Sequence, residues 1–212
     1  NLNPLGAPGL NKILAAAYKN ISNYPDNRYS GFRKAAADYL NVSPENIVPG
    51  NGSSEIIRLF AETVIEPGDR VIVPSPTFGE YEFQCRLFGA DIEYINYNDI
   101  KTVKPDGCKA VFLCNPNNPT GSLLGRSEVL QLAKKCISSE VFLFVDEAFI
   151  ELSCHGESIA DIAALNDFVI VMRSLTKIYA VAGLRIGFAV ASPEYARLLN
   201  NIRLPWNLNS VG

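Results

Sequence analysis

A serine, a lysine and an arginine lie close together in the second half of this chain. Ser174 and Lys177 follow the apolar run 168–172, and Arg185 comes soon after them. A lysine held at the end of a buried strand is suited to forming a Schiff base with a carbonyl compound. The serine hydroxyl and the arginine guanidinium beside it can bind a dianion. Pyridoxal 5'-phosphate (PLP) requires both an imine partner and a grip on its phosphate, so this segment predicts a PLP site.

A carboxylate follows another apolar run. Residues 141–145 have the pattern of a buried strand, and Asp146 comes directly after them. Parallel α/β sheets bind their ligands beyond the carboxyl ends of the strands. PLP needs an acid at its pyridine nitrogen, because the protonated ring is the better electron sink. Asp146 therefore fits the cofactor, although an acid in this position can also cap a helix or close a turn.

A segment rich in glycine and serine offers a place for the phosphate. Gly52, Ser53 and Ser54 stand at the expected start of a helix, where unpaired backbone N–H groups point outward and can bind an anion. The competing interpretation is the dinucleotide loop of a nicotinamide-dependent enzyme. That loop needs a third glycine, and this chain has Glu55 there. The segment therefore favours a phosphate-binding helix start over a dinucleotide loop.

Three motifs resemble those of fold-type I PLP enzymes, the aspartate aminotransferase superfamily. They are Ser-x-x-Lys with its following arginine (174–185), Asp-Glu-Ala-Phe (146–149) and Asn-Pro-Asn-Asn-Pro-Thr-Gly (115–121). The last motif is long and specific, and the resemblance extends over nearly the whole chain. Enzymes of this superfamily hold PLP on the lysine. The resemblance therefore implies that Lys177 is the catalytic residue and that PLP is the cofactor.

The resemblance also distributes the contacts with the cofactor. It implies that Asn118 donates a hydrogen bond to the ring hydroxyl oxygen of PLP and that Phe78 stacks on the ring. It further implies a homodimer, in which Tyr24 of one subunit reaches the phosphate held by the other. Taken alone, Phe78 could equally be a core side chain and Tyr24 a turn aromatic packed locally. The cofactor-binding residues implied in this way are Tyr24, Gly52, Ser53, Ser54, Phe78, Asn118, Asp146, Ser174, Lys177 and Arg185.

Strand-like and helix-like segments alternate along the chain and must position these residues. Apolar runs typical of strands lie near residues 47–48, 71–73, 92–95, 110–113, 141–145, 168–172 and 186–190. Amphipathic stretches that indicate helices lie at 32–40, 54–65, 81–88 and 127–137, and a last helix is expected to open at 193. The alternation predicts an α/β fold, here a three-layer αβα sandwich around a mostly parallel mixed sheet.

The resemblance implies that the domain organisation is incomplete. Residues 1–30 are expected to form an N-terminal arm, irregular up to residue 9, and a turn near the cofactor. Residues 31–212 are expected to form the PLP-binding large domain. Members of the superfamily continue into a C-terminal small domain, which carries the arginine that binds the substrate α-carboxylate. Because the sequence stops before such a domain, we expect it to be a fragment.

Composition argues against several classes of function. The net charge is −3 and there is one histidine, which argues against a nucleic-acid surface and against a histidine-rich metal site. The five cysteines show no Cys-x-x-Cys spacing, which favours a reducing cytoplasm over secretion. No apolar run is long enough to span a membrane. We therefore expect a cytoplasmic enzyme with no metal, no nucleic-acid partner and no membrane partner.

Two families within the superfamily compete for the activity, and both take a small phosphorylated amino substrate. The first expectation is threonine-phosphate decarboxylase of cobalamin biosynthesis, and the alternative is histidinol-phosphate aminotransferase. The segments that resemble the decarboxylase are 78–81, 146–150, 173–180 and 204–207. The segments that resemble the aminotransferase are 1–4, 24–26, 115–121 and 183–187. Phe149 stands where most aminotransferases have a tyrosine, which supports the decarboxylase. A non-catalytic PLP-binding module is the alternative from another class.

Overall fold

The computed structural model describes residues 3–211, which contain seven strands and eight α-helices. The strands are β1 (Ile47–Asn51), β2 (Arg70–Ser75), β3 (Asp91–Asn96), β4 (Ala110–Cys114), β5 (Phe142–Asp146), β6 (Val169–Ser174) and β7 (Ile186–Val190). The helices are α1 (Leu10–Ala17), α2 (Ser30–Leu40), α3 (Ser53–Val64), α4 (Glu80–Leu87), α5 (Arg126–Ser138), α6 (Ala160–Ala163), α7 (Leu175–Ile178) and α8 (Pro193–Ile202). Every predicted strand is therefore present.

The strands form one sheet in the order β1–β7–β6–β5–β4–β2–β3. Strand β7 runs antiparallel to both of its neighbours, β1 and β6. The remaining neighbouring pairs are parallel. The prediction of a mostly parallel mixed sheet is thereby confirmed. Because β7 is reversed, the residues that precede it lie at the same edge of the sheet at which the other strands end.

The central strands bury side chains on both faces of the sheet. In β4, Val111 and Leu113 belong to the core beneath α2, α5 and α6, whereas Phe112 and Cys114 belong to the core beneath α3, α4 and α8. The alternation follows from the pleat of a strand, in which successive side chains point to opposite faces. Helices therefore cover both faces, as predicted for a three-layer αβα sandwich.

The predicted helices are present with small shifts of their ends, and three further helices were not predicted. Helix α8 begins as expected at Pro193, whose missing N–H costs nothing in a first turn, and the Ser192 hydroxyl accepts a hydrogen bond from the Tyr195 N–H. The unpredicted helices are α1, α6 and α7. Two of these span only four residues each, and α1 has no buried residue, so none carries a core-facing pattern of useful length.

The N-terminal arm was predicted to be irregular over residues 1–9. Residues 3–9 contain turns but neither helix nor strand, which agrees with that prediction. Residues 1, 2 and 212 lie outside the described part of the chain. Within residues 3–211, no helix is both long enough and apolar enough to cross a membrane. In the same range, no group of three or more His, Cys, Asp and Glu side chains is arranged to hold a metal ion.

One edge of the sheet gathers the ends of several elements. Strands β4, β5 and β6 end there, at Cys114, Asp146 and Ser174. Helix α3 starts at this edge directly after β1, and the reversed strand β7 begins there after Arg185. Residues that are far apart in sequence therefore meet at one place, which is where an open α/β sheet binds its ligands.

Candidate active site

A cavity of about 290 Å³ opens at this edge of the sheet. Its lining consists of Ser53, Ser54, Phe78, Cys114, Asn118, Asp146, Ala148, Phe149, Thr176, Lys177 and Arg185. Most of the residues predicted from sequence to bind the cofactor are among them. The exceptions are Tyr24, Gly52 and Ser174, which do not line the cavity.

Asp146 lies on the cavity wall with its carboxylate buried. Its Oδ2 accepts a hydrogen bond from the Tyr81 hydroxyl at 2.5 Å, and its Oδ1 accepts one from the Ala148 N–H at 2.8 Å. Burial raises the pKa of Asp146 to about 6, while the bonds from Tyr81 and Ala148 and the positive charge of Lys177 lower it. Lys177 acts here through space, as a charge. The hydrogen-bond donors that orient the carboxylate are therefore neutral. A cation that entered the cavity would stabilise the ionised form of Asp146 further.

Tyr81 is a functional residue that the sequence analysis missed. Its ring is fully buried, stacked on Phe112 at 5.0 Å between centroids and edge-on to Phe78 at 5.7 Å. Burial raises the pKa of the Tyr81 phenol well above its usual value, so the hydroxyl stays protonated and donates to Asp146. The contact joins residues 65 positions apart. The segment 78–81 carries a family resemblance, but no local pattern in the sequence links it to Asp146.

Lys177 lies in the short helix α7, directly beyond the end of β6. Its Nζ is 5.9 Å from the centroid of the Phe149 ring, and both side chains line the cavity. The N-terminal arm holds this turn: the Asn3 N–H donates to the Lys177 carbonyl at 3.0 Å, and the Asn3 side-chain amide donates to the Ile178 carbonyl at 2.8 Å. These bonds add partners for carbonyls at the end of this short helix, where the Lys177 carbonyl also accepts from the Ala180 N–H at 3.4 Å. Asn3 was not foreseen in this role.

Ser53, Ser54 and Arg185 form a group that we call the anion cup. The two serines begin α3, where backbone N–H groups and the helix dipole favour an anion. Gly52 has φ 76° and ψ 163°, a conformation that glycine adopts readily, and a Cβ at this position would overlap the Arg185 guanidinium. Gly52 thus lies behind the cup, where it permits the close approach of the arginine to the start of α3.

Ser174 and Tyr24 do not reach the cavity within this chain. Ser174 is buried behind the lining, and its Oγ lies 2.9 Å from Oγ1 of Thr176, which does face the cavity. Tyr24 is 79 % exposed and packs on Trp206 with 4.7 Å between ring centroids. Phe78 and Asn118 both line the cavity, so Phe78 is not only a core side chain. Tyr24 is therefore not part of the cavity formed by its own chain.

A buried ion pair lies directly behind the site and was also missed. Glu147 and Arg173 are both almost fully buried and lie 3.2 Å apart. They neighbour Asp146 and Ser174 in sequence, at the ends of β5 and β6. The Glu147 carboxylate also accepts from the Ser158 hydroxyl at 2.6 Å and from the Ile159 N–H at 3.0 Å. The pair connects the strand ends that carry Asp146 and Ser174, and its further hydrogen bonds offset part of the cost of burying the two charges.

The lining residues fit PLP. An acid for the ring nitrogen, an amine for the aldehyde and a cup for the phosphate face one cavity. The close packing of Gly52 against Arg185 is what a site built around a bound anion requires, since it places the guanidinium beside the N–H groups of a helix start. Burial of Asp146, with a pKa raised to about 6, provides a carboxylate that a protonated pyridine would stabilise.

Residues 8–212 match the family model "Aminotransferase class I and II". The chain belongs to this family. Enzymes of this family depend on PLP, which agrees with the residues that line the cavity. Membership of the family therefore excludes the interpretation as a nicotinamide-dependent enzyme. The prediction of a PLP enzyme of the aspartate aminotransferase superfamily is thereby confirmed.

The individual proteins that this chain resembles bear the names of two activities. Histidinol-phosphate aminotransferase of Moorella thermoacetica is 37 % identical over 99 % of this chain and 57 % of the relative. The crystal structure of L-threonine-O-3-phosphate decarboxylase from Porphyromonas gingivalis matches with a TM-score of 0.89 and 25 % identity, covering 97 % of this chain and 66 % of that one. Histidinol-phosphate aminotransferase from Sinorhizobium meliloti, solved in complex with pyridoxal-5'-phosphate, shares the fold with a TM-score of 0.91 at 24 % identity, over 100 % of this chain and 60 % of that one. The chain thus spans about three fifths of the length of the proteins that it resembles.

The Tyr81–Asp146 contact makes a testable prediction. In the protein without PLP, we expect Tyr81→Phe to raise the pKa of Asp146 above its native value of about 6. The phenol O–H stabilises the ionised carboxylate, so its removal favours the protonated form. The pKa is measured by ¹³C NMR titration of the aspartate carboxyl groups.

Tyr97→Phe is the matched control for this experiment. The Tyr97 hydroxyl is also buried, but it donates to the backbone carbonyl of Cys114 at 2.9 Å and not to Asp146. We expect the control to leave the pKa of Asp146 where it is. An unchanged pKa in Tyr81→Phe, or an equal rise in both variants, would contradict the assigned contact.

Proposed function

We propose that this chain forms the cofactor-binding part of a PLP-dependent enzyme that acts on a phosphorylated amino substrate, with histidinol-phosphate aminotransferase as the best-supported activity. The observation that carries the proposal is a single cavity in which Lys177, Asp146 and the anion cup face the same space. The relative of 37 % identity that bears this name supports the choice of activity. The threonine-phosphate decarboxylase expected first from sequence becomes the second candidate.

Asp146 is proposed to bind the ring nitrogen of the cofactor. When bound, PLP supplies an electron sink that stabilises negative charge at the substrate α-carbon. The ionised Asp146 carboxylate keeps a proton on the ring nitrogen, and the donors Tyr81 and Ala148 keep that carboxylate in place. A cation at this position removes part of the cost of burying the carboxylate, so the pKa of Asp146 is expected to fall when the cofactor binds.

Lys177 is proposed to hold the cofactor and to move the substrate proton. With PLP bound, its amine would hold the cofactor through the aldehyde carbon and would be set free when a substrate amine took that place. The free Lys177 amine would then serve as the base that accepts and returns a proton at the substrate α-carbon, as transamination requires. The bonds from Asn3 to the carbonyls of Lys177 and Ile178 restrict how far the turn can shift during these exchanges.

The anion cup is proposed to hold the cofactor phosphate, and Phe78 and Asn118 the ring. Hydrogen bonds to a charged group contribute roughly 1.5–3 kcal/mol each, so Arg185 and the start of α3 together can retain the cofactor while Lys177 is free. Phe78 offers an aromatic face, and the Asn118 amide offers a donor for the ring hydroxyl oxygen. Ser174 is proposed to act from behind the lining, through its contact with Thr176.

Phe149 favours the second candidate, threonine-phosphate decarboxylase. It lines the cavity without a hydroxyl, where a tyrosine would donate a hydrogen bond to the cofactor. The structural matches do not separate the two candidates, because the Porphyromonas gingivalis decarboxylase has a TM-score of 0.89 and the Sinorhizobium meliloti aminotransferase one of 0.91. The two activities differ in which α-carbon bond breaks, and both need Lys177, Asp146 and the anion cup.

Product analysis decides between the two activities. We expect the full-length protein with PLP to form glutamate from histidinol phosphate and 2-oxoglutarate, and to release no carbon dioxide from threonine phosphate. Lys177→Ala is expected to abolish glutamate formation, because it removes both the covalent anchor and the proton carrier. Carbon dioxide release from threonine phosphate without a keto acid would promote the decarboxylase. Cofactor binding with neither reaction would favour a non-catalytic binding module.

We further propose that the enzyme is a homodimer with a shared site. Tyr24 is exposed and turned away from the cavity of its own chain, which fits a residue that serves the phosphate of a neighbouring subunit. Its ring rests on Trp206, so the turn that carries it has a defined position. Such an arrangement makes the site incomplete without a second copy.

Mixed subunits test this arrangement. Tyr24→Ala and Lys177→Ala homodimers are each expected to have low activity, since every site lacks one group. In a mixed dimer, one site combines the native Tyr24 of one subunit with the native Lys177 of the other. We therefore expect partial recovery of activity after unfolding and refolding the two variants together. Absence of recovery, with mixed dimers confirmed by mass spectrometry, would argue that each site is built from one chain.

A further inference from the structure

Residues 203–209 form a segment that crosses behind the anion cup, and we call it the strap. It follows α8 and has no regular secondary structure. Its Leu208 is buried, and the Leu208 N–H donates to the Tyr29 hydroxyl at 3.1 Å. Its Arg203 lies over the Tyr29 ring at 4.8 Å and donates to the Asn27 carbonyl at 3.0 Å. These contacts with residues 27–29 hold the strap in place independently of its contacts with the anion cup.

The strap contacts both halves of the anion cup. The Asn207 amide donates to Glu55 Oε2 at 2.5 Å, in the first turn of α3. The Asn209 amide donates to the carbonyl of Leu184 at 2.9 Å, directly before Arg185. One short segment therefore touches the helix start that offers N–H groups and the loop that offers the guanidinium.

Glu55 holds the turn on which the cup depends. Its Oε2 also accepts from the Asn51 N–H at 2.5 Å, across the Gly52 turn. This bond closes the turn that aims the N–H groups of Ser53 and Ser54. Gly187 packs against the same turn, since a Cβ there would lie 2.7 Å from the Ser53 nitrogen. The turn is therefore held between β7 and the Glu55 side chain.

The charge of Glu55 opposes the function of the cup. A carboxylate in the first turn of a helix competes with a bound dianion for the same dipole and for the nearby guanidinium. Asn51 and Asn207 direct their N–H groups at its Oε2 and hold the carboxylate against the turn. Asn207 in turn is oriented by Arg203, whose Nη1 donates to the Asn207 Oδ1 at 2.6 Å.

We infer that Asn207 and Glu55 are positioning residues for the cofactor phosphate. The strap holds the Glu55 carboxylate against the Gly52 turn, so that the turn stays closed and the carboxylate stays away from the anion. This inference rests on the proposed PLP site and adds a control of phosphate affinity by residues that do not touch the cofactor.

Cofactor titration of the apoprotein tests the inference. We expect Asn207→Ala to weaken PLP binding about tenfold, the value of one lost hydrogen bond to a charged group. Pyridoxal has the same ring and aldehyde but no phosphate, so its affinity is expected to stay at the native value. Both affinities are measured from the visible absorption that develops on binding. Asn166→Ala is the matched control, because it removes an asparagine that bonds the Phe168 N–H at the opposite edge of the sheet.

A charge swap provides a second test that does not depend on the alanine variant being folded. Asn207→Asp places a carboxylate against Glu55 and is expected to weaken PLP binding more than Asn207→Ala. Adding Glu55→Gln restores the contact with its direction reversed, because the glutamine amide can donate to the introduced aspartate. That aspartate can still accept a hydrogen bond from Arg203. The double variant is therefore expected to regain most of the native PLP affinity.

The outcomes separate the inference from the proposed function. Native PLP affinity in Asn207→Ala, equal losses for PLP and pyridoxal, or no recovery in the double variant would each overturn the role of the strap. If the native protein binds neither PLP nor pyridoxal, the proposed function itself fails, and the inference fails with it.

Discussion

Burial of one carboxylate at the end of a parallel strand is the constraint on which the rest of this site depends. Asp146 ends β5 beneath the cavity, where removal from water raises its pKa to about 6. A buried carboxylate must be satisfied by donors or by a cation. Tyr81 and Ala148 supply two donors and leave room for a third partner in the cavity. The electrostatics of the site are therefore prepared for a cationic ring nitrogen before any cofactor is present.

The direction of the strands explains how the other groups reach the same cavity. Parallel strands end at one edge, which brings together residues that follow β1, β2, β4, β5 and β6. The reversed strand β7 adds Arg185 to that edge from its beginning and not from its end. A fully parallel sheet would have placed the residue before β7 at the opposite edge. The single antiparallel strand is thus what allows a guanidinium to face the start of α3.

Sequence reasoning was most successful where the signal is local. Lys177, Asp146 and Asn118 each follow an apolar run, and the start of α3 is marked by Gly52 and its serines. It was least successful for contacts between distant segments. The bonds from Tyr81 to Asp146, from Asn3 to Lys177 and from Asn207 to Glu55 depend on how the elements pack, and no local pattern contains them. Ser174 shows the limit within a motif, since its strand position turns it behind the lining while Thr176 faces the cavity.

The central claim is that Lys177 carries the cofactor covalently in the cavity that Asp146 and the anion cup define. Borohydride reduction of the protein loaded with PLP, followed by proteolysis and mass spectrometry, tests it most directly. We predict that the visible absorption band bleaches and that the pyridoxyl group is found on the peptide containing Lys177. A label on a different lysine, or a bleached band with no labelled peptide, would contradict the account.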